Sequence, residues 1–392
     1  MRSHNAAVRI LVLDANERSA LAAVRSLGRV GYTVLVADEQ EGSLSGASRY
    51  CSEQLRSPSP YREPQRFVRW FTECYDRRQF HIALPMTEVT TDLLTRHRAR
   101  WPELILPFAS TDVIDELSDK VLLYQRALDL GVPVPDSVIV SSSSDLDSAI
   151  QRIGFPAFLK PRRSRLWTEN GYLSTNVRKV ETTEQLRAVS KLPEFRTEPF
   201  LYQKPALGSG RGIFALFDQG QPIAVFSHRR LREKPPEGGV SVLSESCETD
   251  PTLSDYAIRL LRSVMWHGVA MVEFKGDGAA AKLMEVNARF WGSLQLAIDA
   301  GVDFPVLLID VALRRRPAMT APKYRPGVRL RWLLGDLDRL YLIFKSNAPL
   351  KTKMRAAVEF LSGSPRRTRH EIFRWDDPQP ALREALNYLR LN

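Results

Sequence analysis

Lys282 to Gly292 reads KLMEVNARFWG, and its polar residues Glu285, Asn287 and Arg289 fall at every second position. In a strand alternate residues share a face, so these three point together while Met284, Val286 and Ala288 point the other way. The preceding AMVEFKGDGAAA turns the stretch into a hairpin, because two short apolar strands flank a Gly- and Asp-rich turn. Pairing about that turn sets Glu273 opposite Glu285 and Phe274 opposite Met284. Opposed residues share a face, so two carboxylates lie roughly 5 Å apart with Asn287 one step along. Like charges in that position destabilise a sheet unless a cation lies between them, and an all-oxygen set suits Mg²⁺ or Mn²⁺ better than zinc. The competing reading is a solvated hairpin face carrying incidental acids.

The 392 residues are enough for two or three domains, and 44% hydrophobic with 26% charged is ordinary globular composition. No apolar run approaches the roughly 18 residues that span a bilayer, and MRSHNAAVRILVLDAN lacks a signal-peptide layout, so a cytoplasmic protein is expected. Cys51, Cys74 and Cys247 are odd in number and far apart, which argues against a disulfide framework or a zinc site. From Arg314 to Asn392 the chain holds 18 Lys and Arg against 7 Asp and Glu, which accounts for the whole net charge of +11.

VRILVLDA and YTVLVADE flank a helical stretch as a strand, helix, strand unit of the parallel kind, and HIALPM and ELILPFAS add strands. Residues 1–112 therefore read as a doubly wound α/β domain. Its loop DANERSA lacks the glycines of a dinucleotide site, although Asp38 stands where a ribose partner would. SDKVLLYQRALDLGVPVP reads as a helix capped by Ser118 or Asp119 and ended by Gly131. Residues 130–310 read as α+β and mostly antiparallel, and 317–392 as a basic, mainly helical region.

VEF followed by MEVNARFWGS resembles the metal-binding end of the ATP-grasp superfamily, whose members bind ATP between two α+β subdomains. The resemblance covers about residues 5–312. It implies an ATP-grasp domain over 113–316, with a lid at about 130–204 and a metal-binding subdomain at about 205–316. Carried over by position, Glu273, Glu285 and Asn287 would hold Mg²⁺ or Mn²⁺ against the phosphates of ATP. Arg289 would stabilise charge on the transferred phosphoryl group or the acyl intermediate, a place that suits a guanidinium. Lys120 in SDK and Lys160 in FLKP resemble the two lysines that contact the phosphates. LYQKPALG resembles the hinge, where Gln203 and the backbones of Lys204 and Ala206 would read the adenine edge. In HRRLREKPPEGG, Arg230 and Arg232 fall where a further cation meets the γ-phosphate.

Two departures stand out. The lid loop RRSRLWTENGY keeps one glycine, Gly171, so Arg162, Arg163 or Arg165 would supply cations in place of backbone amides; and Gly210 occupies the place of an acid that holds the ribose. The resemblance implies a ligase that activates a carboxylate as an acyl phosphate and joins it to an amine or similar nucleophile, releasing ADP and phosphate. The alternative is an ATP-binding regulatory or scaffold protein whose lid has decayed. Small carboxylate and amine partners are expected, and a homo-oligomer is compatible with the family.

In the tail, positions 333, 337, 340, 341 and 344 follow helical spacing. They read either as a stripe packed on the body or as an exposed face that draws an anionic membrane surface or acidic partner, making the protein peripheral to the membrane. Nucleic acid is disfavoured, since no recognition module is visible.

Overall fold

The computed structural model describes residues 8–168, 171–196, 198–236, 238–315, 323–362 and 368–391. The expected boundary between 316 and 317 lies outside the described residues. The first sheet comprises β1 (Arg9–Val12), β2 (Thr33–Asp38), β3 (Glu53–Arg56) and β4 (Ile82–Leu84), all parallel, in the order β3-β2-β1-β4. RILV and TVLV are apolar almost throughout because both faces of a parallel sheet are covered, and Ile10, Leu11, Val12, Val34, Leu35 and Val36 have no exposed surface. ELILPFAS does not form the expected full strand: it contributes only an isolated parallel bridge, Ile82 to Ile105. Asp38 accepts hydrogen bonds from the backbone and side-chain amides of Asn16, so a local turn occupies the carboxylate that a ribose would need.

Asp119 caps the helix Lys120–Asp129 by accepting from the amides of Val121 and Leu122. Next come β5 (Ser137–Val140), β6 (Ala157–Pro161), the hairpin of β7 (Arg165–Thr168) and β8 (Gly171–Ser174), β9 (Arg178–Val180) and β10 (Phe200–Gln203). The sheet β5-β10-β6-β9 is antiparallel and has its own small core, in which Val140, Leu159, Phe200 and Tyr202 meet Ala149 and Leu186 of the flanking helices. Leu201 pairs with Lys160, so Lys160, Leu201 and Gln203 share the opposite face.

The third sheet runs β15-β14-β11-β12-β13-β16-β17, built from β11 (Gly210–Asp218), β12 (Gln221–Lys234), β13 (Val240–Ser246), β14 (Gly268–Lys275), β15 (Lys282–Asn287), β16 (Arg329–Arg331) and β17 (Thr368–His370). Its apolar residues and those of the first sheet form one continuous core. The tail is thus not only helical: alongside the helices Leu333–Lys345, Leu350–Leu361 and Gln379–Leu391 it supplies two strands that complete this sheet.

The helix Leu333–Lys345 does not pack through its apolar stripe. Leu333, Leu337, Tyr341 and Phe344 are exposed, while Gly335, Asp336 and Ile343 are buried. The cause is Asp336, whose Oδ2 takes the guanidinium of Arg331 at 2.8 Å and that of Arg232 at 3.0 Å, so a buried charge cluster sets the face the helix turns inward. No helix among the described residues is long and apolar enough to cross a membrane.

Candidate active site

β14 and β15 pair with Glu273 opposite Glu285 and Met271 opposite Asn287, the register expected from the turn. One residue further on a bulge intervenes, and Phe274 faces Leu283 rather than Met284. The extra residue reverses the alternation: Leu283 enters the core, and Met284, expected on the apolar face, lines the same cavity as Glu285 and Asn287. The polar face itself is a relay. Arg289 Nη2 donates to Asn287 Oδ1 at 3.3 Å, Asn287 Nδ2 donates to Glu285 Oε1 at 3.0 Å, and Arg289 Nη1 is fixed on the carbonyl of Phe290 at 2.8 Å.

From β12, on the other side of β14, Arg230 Nη2 lies 2.6 Å from Glu273 Oε2, and its Nη1 donates to Glu233 Oε1 at 3.0 Å. Glu273 keeps 18% of its side-chain surface open, facing a cavity of about 490 Å³ that Lys160, Arg230, Glu285, Asn287 and Arg289 also line. Burial, then the opposing Glu285, push the Glu273 carboxyl above the usual range. Burial works the same way on Glu285, but Lys120, the Asn287 hydrogen bond, Lys160 and Arg289 outweigh it and hold that carboxyl below the ordinary value. The opposed pair is thus split, Glu285 shifted toward the anion and Glu273 toward the proton.

Lys120 and Lys160 are buried, from the helix Lys120–Asp129 and from β6. Lys120 Nζ donates to Ser164 Oγ at 3.0 Å. Among the described residues, neither lysine nor Arg289 has a carboxylate within ion-pairing distance of 4.0 Å. Burial pulls the Lys160 ammonium down to about 8, although the Glu285 charge resists the change.

No group of three or more His, Cys, Asp and Glu among the described residues could hold a metal alone. Two carboxylates and an amide instead fit a cation of the Mg²⁺ type whose shell is completed by phosphate oxygens and water.

The other expected residues divide. Gln203 is buried and donates through Nε2 to Ser137 Oγ at 2.9 Å, while Lys204 and Ala206 line a different cavity with Gly208 and Lys282. None of the three lines the carboxylate cavity. Gly208 is required where it stands: it has φ +101°, and a Cβ would come within 2.7 Å of Gly276 Cα.

Arg230 and Arg232 do not act as a pair. A bulge at Leu231 turns Arg232 toward Asp336 and the carbonyl of Glu359. Two of the three lid arginines are engaged, Arg162 paired with Asp119 and Arg163 3.1 Å from Asp115, while Arg165 donates to Ser174 Oγ and lines a cavity with Lys120 and Arg289. The one glycine of that loop serves docking: Tyr172 N donates to the carbonyl of Tyr61, and a Cβ on Gly171 would sit 2.3 Å from that oxygen. Gly210 lines the carboxylate cavity beside Arg230.

Three groups went unread in the sequence. His228 is buried on Phe214, ring centroids 4.5 Å apart, with Nε2 3.3 Å from Ser293 Oγ; burial drives it down to about 3, so it stays neutral. Arg18 lines the carboxylate cavity, stacks on Trp332 at 4.1 Å and pairs with Glu371, which joins the tail to the site. Glu88 opens the helix Glu88–Arg96 and lines a neighbouring cavity of about 450 Å³ that shares Glu285, Asn287 and Arg289. A carboxylate at the carboxyl end of a parallel strand, next to a reversal of strand order, is the signal that could have found it.

A family described as ATP-grasp in the biosynthetic pathway with Ter operon matches residues 216–335. The glutamate–LysW ligases of Sulfurisphaera tokodaii and Sulfolobus acidocaldarius are each 34% identical over 74 residues, 17% of this chain and 26% of the relative. The chain thus spans about a quarter of the length of the curated relatives it matches. N5-carboxyaminoimidazole synthetase from Staphylococcus aureus superposes with a TM-score of 0.64 at 15% identity, covering 86% of this chain and 85% of the other. Biotin carboxylase from Campylobacter jejuni, in a β,γ-ATP complex, gives 0.64 at 15% over 82% and 74%. N5-carboxyaminoimidazole ribonucleotide synthetase from Thermus thermophilus gives 0.60 at 18% over 91% and 99%.

Proposed function

We propose that this chain, whose fold is that of the ATP-grasp proteins, is an ATP-dependent ligase that activates a carboxylate as an acyl phosphate and couples it to an amine, releasing ADP and phosphate. The observation that carries the reading is the juxtaposition of opposed Glu273 and Glu285 with Lys120, Lys160 and Arg289, cations that no described carboxylate pairs within 4.0 Å. Such cations, enclosed and outnumbering the ionised Glu285 whose charge they share, favour a polyanion at that place. The ligase names of the curated relatives support the same reading.

In this reading Lys120 and Lys160 bind the phosphates. Arg230 orients Glu273 through Oε2, and Arg289, anchored by Phe290 and Asn287, faces the charge that develops on the transferred group or the tetrahedral centre. Glu273, Glu285 and Asn287 would hold Mg²⁺ or Mn²⁺, which supplies neutralisation of phosphate charge when bound. Catalysis is then mostly positioning and electrostatics, and neutral His228 takes no proton-transfer role.

The decayed-lid alternative draws on one observation: Arg162 and Arg163 are engaged with Asp119 and Asp115 and so do not replace the missing lid amides. ADP release in the presence of a pool of carboxylates and amines separates the readings. Turnover supports the ligase, and tight ATP binding without turnover supports the regulatory protein.

Arg289→Lys is expected to lower kcat about 10- to 100-fold with little change in KM for ATP, because an ammonium cannot hold both Asn287 and the developing charge. Steady-state kinetics decide it, and a pure KM effect would reject the role. Lys160 gives a pH dependence. Its ammonium is charged below about 8, so kcat/KM for ATP should fall as pH rises through that value. Lys160→Arg, charged throughout, should flatten that alkaline limb; a profile unchanged by the substitution would assign the limb to another group.

A further inference from the structure

We propose that Glu88 is the receptor for the ammonium group of the amine substrate and the acceptor of its proton, an inference that rests on the ligase reading above. The amine would carry a compact, largely apolar body, because the cavity that Glu88 enters is walled by Leu93, Ile114, Leu123, Leu166 and Val286.

The backbone places Glu88 firmly. It follows β4 directly, where the order β3-β2-β1-β4 reverses next to β1, and crevices at such switch points are where open α/β sheets take ligands. Asp14, in the loop after β1, accepts from the amides of Met86 at 3.0 Å and Thr87 at 2.9 Å and from Thr90 Oγ1 at 2.5 Å, so the turn carrying Glu88 is tied down on both sides. The cavity then runs from Glu88 to Arg289 and Asn287 on β15 and the residues that follow it.

The other acids of this cavity have partners. Asp92 takes Arg96 Nε at 2.7 Å and the Tyr172 hydroxyl at 2.6 Å, and Asp115 takes Arg96 at 3.0 Å and Arg163 at 3.1 Å. Glu198 lies 3.8 Å from Arg162, and Glu285 accepts from Asn287. Glu88 alone among them has neither a hydrogen bond nor an ion pair with a described residue. Charged groups act on it only from a distance: Lys120, Arg289 and Arg165 favour its anion, and Glu285 opposes it. Burial, the largest influence, pushes its carboxyl above the usual value, which brings it closer to the proton affinity an amine's base requires. A half-buried carboxylate without a donor still carries a desolvation cost, and an ammonium supplies both charge and donors.

The ammonium gives one proton to the Glu88 carboxylate, and the freed nitrogen lone pair attacks the acyl carbon. The C–N bond forms, the bond from that carbon to the phosphate oxygen breaks, and the second nitrogen proton leaves with the phosphate. Arg289 faces the oxygen that carries charge in between.

The test uses the full chain with MgADP, n-pentylammonium as the probe and n-pentanol as its uncharged match, read by titration calorimetry. The parent is expected to bind pentylammonium at least about tenfold more tightly than pentanol, the size of one charge-assisted hydrogen bond. Glu88→Gln should bind the two alike while ADP affinity stays put, and Glu88→Asp should retain the preference. No preference in the parent, or one that Glu88→Gln keeps, overturns the assignment. With a carboxylate that supports turnover, hydroxylamine, uncharged at neutral pH, serves as a second nucleophile: Glu88→Gln should lower the use of the amine at least about tenfold more than it lowers hydroxamate formation, and an equal loss with both would overturn the assignment. Absence of turnover with every carboxylate would overturn the ligase reading, and the binding comparison would still decide the role of Glu88.

Discussion

Glu285→Gln is expected to lower ATP turnover by at least about 10³-fold while the protein remains folded. The substitution keeps the side chain's shape, so Asn287 still finds an oxygen at the place where it now donates at 3.0 Å. What disappears is the charge that Lys120, Lys160 and Arg289 share. In the proposed site a divalent cation would then meet one carboxylate instead of two, and its affinity would fall with the loss of that charge. Glu273, relieved of its opposing charge, should ionise more readily, so the apo protein should lose little thermal stability. Two measurements check this: turnover as a function of Mg²⁺ and Mn²⁺ concentration, and the melting midpoint. A variant that keeps most of the parent's Mg²⁺-dependent activity would remove Glu285 from the metal set.

The hairpin register was legible because a short Gly- and Asp-rich turn leaves few pairings, and a slip by one residue would carry Glu285 and Asn287 into the core. The bulges at Met284 and Leu231 were not. A bulge adds a residue where packing on the partner strand demands it, so alternation in the sequence continues while alternation in space reverses. That is why Met284 and Arg232 were assigned to the wrong faces.

The tail was misread for a related reason. RLR and TRH are too short and too basic to register as strands, yet both are held at the edge of a large sheet by pairing that only the folded chain supplies. Apolar spacing in Leu333–Lys345 left a packed stripe and an exposed face both open, and charge pairing with Asp336 decided between them. Gln203, Arg162 and Arg163 were matched by position in a pattern, and position does not say where a polar group finds its partner.

Asp377→Ala is expected to cost about 3–5 kcal/mol of stability, the penalty for leaving one half of a buried ion pair without the other. Arg25 and Asp377 are 1% and 0% exposed, and Arg25 Nε donates to Asp377 Oδ2 at 2.8 Å. Ser48 Oγ donates to the same oxygen at 2.7 Å and Arg49 N to Oδ1 at 2.9 Å, so the carboxylate ties two segments of the first domain to the tail. With alanine there, Arg25 keeps only the carbonyls of Glu371, Ile372 and residue 377. Denaturant unfolding of the parent and the variant measures the difference. The double substitution Arg25→Leu with Asp377→Leu should recover a large part of it, because replacing both charges removes the desolvation cost that either one alone retains. A loss below about 1 kcal/mol would mean the tail is held by its strands alone. The pair also bears on the site, since Glu371, six residues before Asp377, pairs with Arg18 at the carboxylate cavity. Cutting the chain near Arg316 would remove this clamp together with β16 and β17, so any test of the exposed tail helices needs substitutions at Leu337, Tyr341 or Phe344, which leave the buried pair in place.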